Sequence, residues 1–157
     1  MQQPNAFKVL KVMHTALLIG MVIFNIVAIV LVQQNIVPAA DESFQRIFQI
    51  VCILVSGTML IAGFNLFKKK MLAARNHTGP GVQRMDLYRA ACMLWWAMIE
   101  GPGLLATIGY ILTHNYAFFA LGVFHLSCLF VFSPRKANIA VLLNLTPDEV
   151  VRLEGKG

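Results

Sequence analysis

Apolar residues run on with few interruptions in four stretches, at about residues 7–32, 47–67, 87–112 and 116–132. Each is close to the ~20 residues an α-helix needs to cross ~30 Å of hydrocarbon at 1.5 Å per residue. The polar punctuation lies at 33–46, 68–86 and 113–115. Pro38 and Asp41-Glu42-Ser43 mark the first connection, and Thr78-Gly79-Pro80-Gly81 marks a turn in the second. The third connection is so short that it admits only an antiparallel hairpin. The pattern predicts an all-α protein: a four-helix transmembrane bundle made of two antiparallel hairpins over 1–134, followed by a tail over 135–157. In that tail Thr146 is placed as an N-cap, Pro147 at the first helical position and Glu149 three residues after the cap. A short helix through Glu154 is therefore expected. The segment 137–145 before it is apolar enough to lie on a membrane surface. An offset of 80 lays Leu18-Ile19-Gly20 on Met98-Ile99-Glu100 and Gln34-Asn35 on His114-Asn115, a weak sign of a duplicated hairpin.

Composition sharpens this picture. The hydrophobic fraction is 58% and the charged fraction 13%, against ~25% charged in a typical soluble domain. A soluble fold of 157 residues has no interior large enough for that much apolar surface. The net charge of +6 raises nucleic acid as a partner, but the basic residues flank the apolar runs, which is where membrane orientation places them. Lys8, Lys11, Lys68, Lys69, Lys70, Arg75, Arg84, Arg89, Arg135, Lys136, Arg152 and Lys156 fall on one side, and Arg46 alone on the other. Positive charge marks the cytoplasmic side, so both termini and the second connection are expected there. The location expected is the bacterial inner (cytoplasmic) membrane, and the partners are the lipid bilayer and either other membrane subunits or further copies of the chain, with no nucleic acid. Cys52, Cys92 and Cys128 all lie inside apolar runs without CxxC spacing, which fits small packing residues. The first run is longer than the ~7–15 apolar residues of a signal peptide and lacks a small-residue cleavage site, so it reads as a retained span.

Glu100 is the candidate functional residue. It lies about midway between Leu87 and Leu112. An ionisable side chain at that depth costs roughly 2.5–3.5 kcal/mol on insertion scales. It must face the bundle interior or water, as a proton- or cation-binding carboxylate or as a neutral group hydrogen-bonded to a neighbouring helix. Gly101-Pro102-Gly103 follows it. Pro102 cannot donate to the Met98 carbonyl, and two glycines loosen the backbone, so a kink or local unwinding of the helix is expected there. Trp96, Glu100, Gly103, Thr107, Tyr110 and His114 recur at steps of three and four and share one helical face. That face serves either as a polar path to Glu100 or as a helix interface closed around Gly103. His125 lies at a similar depth on the last span, and a Glu100–His125 pair would relay a proton. Among proton- or ion-binding candidates the set is therefore Glu100, His125, Thr107 and Tyr110. His14, Met21 and Asn25 share a face of the first span; Ser56 and Thr58 lie near the centre of the second.

The segment Trp95-Trp96-Ala97-Met98-Ile99-Glu100-Gly101-Pro102-Gly103-Leu104, with the tail Leu145-Thr146-Pro147-Asp148-Glu149, resembles a small bacterial family of uncharacterised four-helix membrane proteins. The resemblance implies topology and no activity. A fainter similarity links the mid-membrane carboxylate to the proteolipid rotor subunits of rotary ATPases. Against it, those hairpins have cytoplasmic loops and glycine-rich helices, and these do not. No P-loop, HExxH or GxSxG is present, and His77 has no metal-ligand neighbours, so no enzyme and no cofactor are expected. Single histidines at unequal depths, His14 and His125, make haem a minor alternative, as is a quinone site lined by Trp95, Trp96 and His125. The leading expectation is a membrane subunit with a protonatable Glu100; the alternative is an accessory subunit in which Glu100 is neutral and fastens helices.

Overall fold

The computed structural model describes residues 5–155. Six helices follow one another: α1 (Ala6–Gln33), α2 (Glu42–Arg75), α3 (Gly81–Thr113), α4 (Tyr116–Val131), α5 (Lys136–Leu142) and α6 (Pro147–Leu153). By length and composition α1, α2 and α3 are each sufficient to cross a membrane. The 16 residues of α4 are short of the ~20 needed, and α4 passes only when joined to α5 across a 71° bend. That bend turns α5 across the end of the bundle, so 136–142 does not continue the last apolar run.

The helices overrun the apolar stretches. Lys68–Arg75, expected as loop, is the last part of α2, and α3 begins at Gly81. Lysine, methionine, leucine and alanine are good helix formers, and the first breakers after Phe67 are Thr78-Gly79-Pro80. Asp41 caps α2 by accepting from the Phe44 N–H at 2.8 Å. At the far end of the bundle α3 stops at His114, whose left-handed φ of 57° breaks the helix. The first loop closes over this point: Ala40 N–H donates to the Leu112 carbonyl (2.8 Å), and the His114 ring meets the Val37 carbonyl (2.9 Å).

α3 is the hub, since α1, α2 and α4 each pack along it. α3 and α4 form the tight hairpin expected from their short connection. α1 and α2 do not make an equivalent pair; each packs on α3 far more than on the other. Close approach to α3 is achieved through glycine. A Cβ on Gly103 would lie 2.6 Å from Met21 Cε and 2.8 Å from His125 Cβ, and one on Gly122 2.7 Å from Thr107 Oγ1. These contacts fix α1 and α4 against the middle of α3.

The outer surface is far more apolar than that of a water-soluble bundle, and several polar side chains are buried within an otherwise apolar core. Buried positions include His14, Asn25, Ser56, Thr107, Thr113 and His125. Exposed positions include Ile19, Ile23, Ile26, Leu54, Ile61, Phe130 and Val131. Water would disfavour that surface at about 25 cal/mol per Å² of apolar area; hydrocarbon would not.

The tail packs on the end of the bundle at which α1 begins. Ile139, Leu143 and Leu153 join the main apolar cluster with Phe7, Met85 and Tyr88. Thr146 and Glu149 form the expected capping box: the Thr146 N–H donates to Glu149 Oε2 (2.9 Å) and the Glu149 N–H to Thr146 Oγ1 (3.3 Å). The helix runs Pro147–Leu153 with Glu154 as its C-cap. Eleven of the twelve basic residues assigned to one side lie at or near this end; the twelfth, Lys156, is outside the described residues.

Candidate functional site

The expected break in α3 does not occur as unwinding. Gly101, Pro102 and Gly103 are all α-helical within an uninterrupted Gly81–Thr113. Proline removes one donor, from the Met98 carbonyl, but Pro102 and Gly103 are buried and held by neighbouring helices. Lateral packing therefore supports the turn that sequence alone would loosen.

The face of α3 running outward from this point is a helix interface. Trp96 meets the His14 ring edge-on, with centroids 4.9 Å apart. Thr107, fully buried, has one hydroxyl proton and two acceptors in reach, the Gly103 carbonyl (3.0 Å) and Asn25 Oδ1 (3.3 Å). Asn25 in turn donates Nδ2 to the Met21 carbonyl at 2.8 Å. Tyr110 stacks obliquely on Phe119 and Tyr116, at 5.1 and 5.5 Å. Thr107 and Tyr110 are thus committed to contacts with α1 and α4.

His125 does not pair with Glu100. Its Nε2 lies 3.0 Å from Ser56 Oγ, which ties α4 to α2. Its Nδ1 is buried and completes no hydrogen bond, although the Ile99 carbonyl lies close enough to interact with the ring. The reason is the angular position of Glu100. Gly103 faces inward toward Met21 and His125, whereas Glu100, one turn earlier, is half-buried on the flank of α3. There it lines a groove of about 320 Å³ between α1 and α3, with Met13, Leu17, Met93, Trp96 and Ala97. Glu100 makes no hydrogen bond or ion pair among the described residues. His14, on the same part of α1, is engaged elsewhere: its Nε2 meets the Leu129 carbonyl at 2.9 Å.

The most elaborate polar constellation is at the opposite end of α3 and was not singled out by sequence. Arg84 donates Nη1 to the carbonyls of Leu143 (2.8 Å) and Asn144 (3.1 Å), and Nη2 to Glu149 (2.5 Å). One guanidinium thereby joins the start of α3 to the end of α5 and the start of α6. The Thr146 N–H, followed by the Arg84 guanidinium and the Gly81 N–H, holds the Glu149 carboxyl below the usual glutamate range, against an opposing effect of burial. The capping box was readable, but its arginine partner lies 65 residues away and has no local signature.

The chain matches no protein-family model, no curated protein and no solved structure. Fold and site together define an all-α chain with three helices able to cross a membrane, and a carboxylate on the apolar flank of one of them.

Proposed function

We propose that the chain is a small polytopic protein of the bacterial inner membrane, with four spans and both termini cytoplasmic, in which Glu100 is a protonatable site at the contact with another membrane helix. One observation carries this reading: the Glu100 side chain sits in an apolar groove between α1 and α3 with no hydrogen-bond or ion-pair partner among the described residues. A carboxylate so placed is costly when charged and unpaired. It is satisfied when protonated, or when a neighbouring helix, a cation or water supplies the missing interaction. Proton uptake at Glu100 is then coupled to what occupies the groove. The broad apolar surface of the long helices, with several polar side chains buried between them, supports embedding in lipid. The 16-residue α4 completes a fourth span if its flanking residues reach the interface or the bilayer thins around it.

The test compares Glu100→Gln with Glu100→Leu in membranes, reading oligomeric state by cross-linking and proton flux in liposomes. Gln retains hydrogen bonding but not titration: assembly should persist and lose its pH dependence, together with any proton flux. Leu should weaken assembly. Wild-type assembly and flux in both variants across pH would overturn the proposal. A second reading is that Glu100 stays neutral and only fastens helices. It is favoured by the commitment of Thr107 and Tyr110 to helix contacts, which provides no relay outward from Glu100. Under it Glu100→Gln is silent and Glu100→Leu alone has an effect.

A further inference from the structure

At the end of the bundle where α1 begins, a cleft of about 500 Å³ opens between α1 and the α4–α5 bend. Its walls carry Lys8 and Lys11 from the first turns of α1, and Arg135 and Lys136 from the bend. These four cations come from segments more than 120 residues apart and meet only because the fold brings them together. Among the described residues Glu154 is the single carboxylate in the lining, and it is bonded to Lys136. Lys8, Lys11 and Arg135 have no carboxylate partner among the described residues. The cleft is therefore a concave concentration of positive charge, which attracts an anion with several oxygen acceptors.

Its neighbour is apolar. Ser133, Pro134 and Arg135 also line a second cavity of about 220 Å³, walled by Phe67, Tyr88, Trp95 and Phe132. A basic cleft and an aromatic slot thus share one wall, at the level where the long helices end. An occupant fitting both has an anionic head and an apolar body. We propose that this is a binding site for an anionic phospholipid, with the phosphate held by Lys8, Lys11 and Arg135 and acyl chain entering the aromatic slot. It rests on the reading of the chain as membrane-embedded, because only then does the cleft lie at headgroup depth. The other basic run on this side, Lys68-Lys69-Lys70, is exposed on α2 and lines neither cavity. It serves as an internal control for charge without shape.

The experiment uses the full chain in neutral detergent micelles, titrated with phosphatidylglycerol, phosphatidylcholine or inorganic phosphate, and read by native mass spectrometry. Phosphatidylglycerol should bind at least about tenfold more tightly than phosphatidylcholine, and inorganic phosphate should bind weakly. The Lys11→Ala/Arg135→Ala double variant should lose about tenfold in phosphatidylglycerol affinity. Both side chains are exposed and make no hydrogen bond among the described residues, so the fold should persist; unchanged helicity by circular dichroism checks this. Replacing Lys68, Lys69 and Lys70 by serine removes more charge and should cost less than twofold. Equal losses in the two variants would reduce the effect to general surface charge and overturn the proposal. So would equal affinity for the two lipids, or phosphate binding as tightly as phosphatidylglycerol. Recovery of the chain in the soluble fraction of cells would instead overturn the membrane reading, which separates the two failures.

Discussion

Glu100 and Glu149 are both carboxylates beside α3, and their surroundings are opposites. Glu149 is met by the Thr146 N–H and by Arg84, which also secures two backbone carbonyls of the tail. Glu100 shares its groove with Met13, Leu17, Met93 and Trp96. A carboxylate with a structural task within its own chain is surrounded by donors, and its charged form is the stable one. One with none adds no polar contact to the folding of that chain, and under the proposed function its task is association or titration. The comparison therefore assigns Glu149 to the architecture and leaves Glu100 available for association or for titration.

The sharpest way to break this contrast is Arg84→Ala. Arg84 is 13% exposed at its side chain and Glu149 22%, so the pair is largely removed from water. Losing it strands the Glu149 carboxylate and the Leu143 and Asn144 carbonyls together. Hydrogen bonds to charged groups are worth about 1.5–3 kcal/mol, and a loss of about 2 kcal/mol in tail docking is expected. Hydrogen exchange should show 136–153 losing protection while the middle of α3 keeps its own. Equal protection of the tail in variant and wild type would mean that Leu143 and Leu153, rather than the clamp, hold it.

Acid gives a graded form of the same test. The folded-state pKa of Glu149 is depressed, first by the Thr146 N–H and then by Arg84. Its contribution is thus fully present above the ordinary glutamate value of 4.5 and is lost as pH falls through the lower folded value. Tail protection should be flat from neutral pH down to that ordinary value and decline below it. The size should be smaller than for Arg84→Ala, because protonation leaves the arginine bonds to the two carbonyls in place. A decline beginning near neutrality would mean that Glu149 is not the group responsible.

How far sequence carried these assignments depended on the range of the interaction. Helix ends with a local cause were readable: Thr146, Pro147 and Glu149 lie within three residues of one another, and the capping box follows from their order. Long apolar helices were readable because each makes its own backbone hydrogen bonds. What failed was angular and long-range. Residues 100 and 103 lie one turn apart, yet a helical wheel does not say which of them points to the centre until the neighbours' positions are known. Gly103 takes the centre because α1 and α4 approach there, and this displaces Glu100 to the flank, away from His125. Of the two outcomes expected at Pro102, a kink or local unwinding, the unwinding does not occur, and α3 stays helical through the proline. The length of α2 was missed for another reason: the end of an apolar run marks where lipid would stop, and Lys68–Arg75 continues as helix beyond it.

The smallest expected effect is the most discriminating. If Glu100 is surplus to its own fold, Glu100→Leu should leave the thermal stability of the isolated chain in detergent within about 0.5 kcal/mol of wild type, as for substitutions away from structural contacts. Leucine adds an apolar side chain to a groove already lined by Met13, Leu17 and Met93, so a slight gain is as consistent as no change. The matching Glu149→Leu should be clearly destabilising, because it removes the capping box and strands Arg84. Both changes delete one carboxylate from the same bundle, so charge alone predicts equal effects and only the partners predict unequal ones. A loss above about 1 kcal/mol for Glu100→Leu in the isolated chain would place a structural partner at Glu100 within the chain itself, and Glu100 would then be a second Glu149 and no longer its opposite.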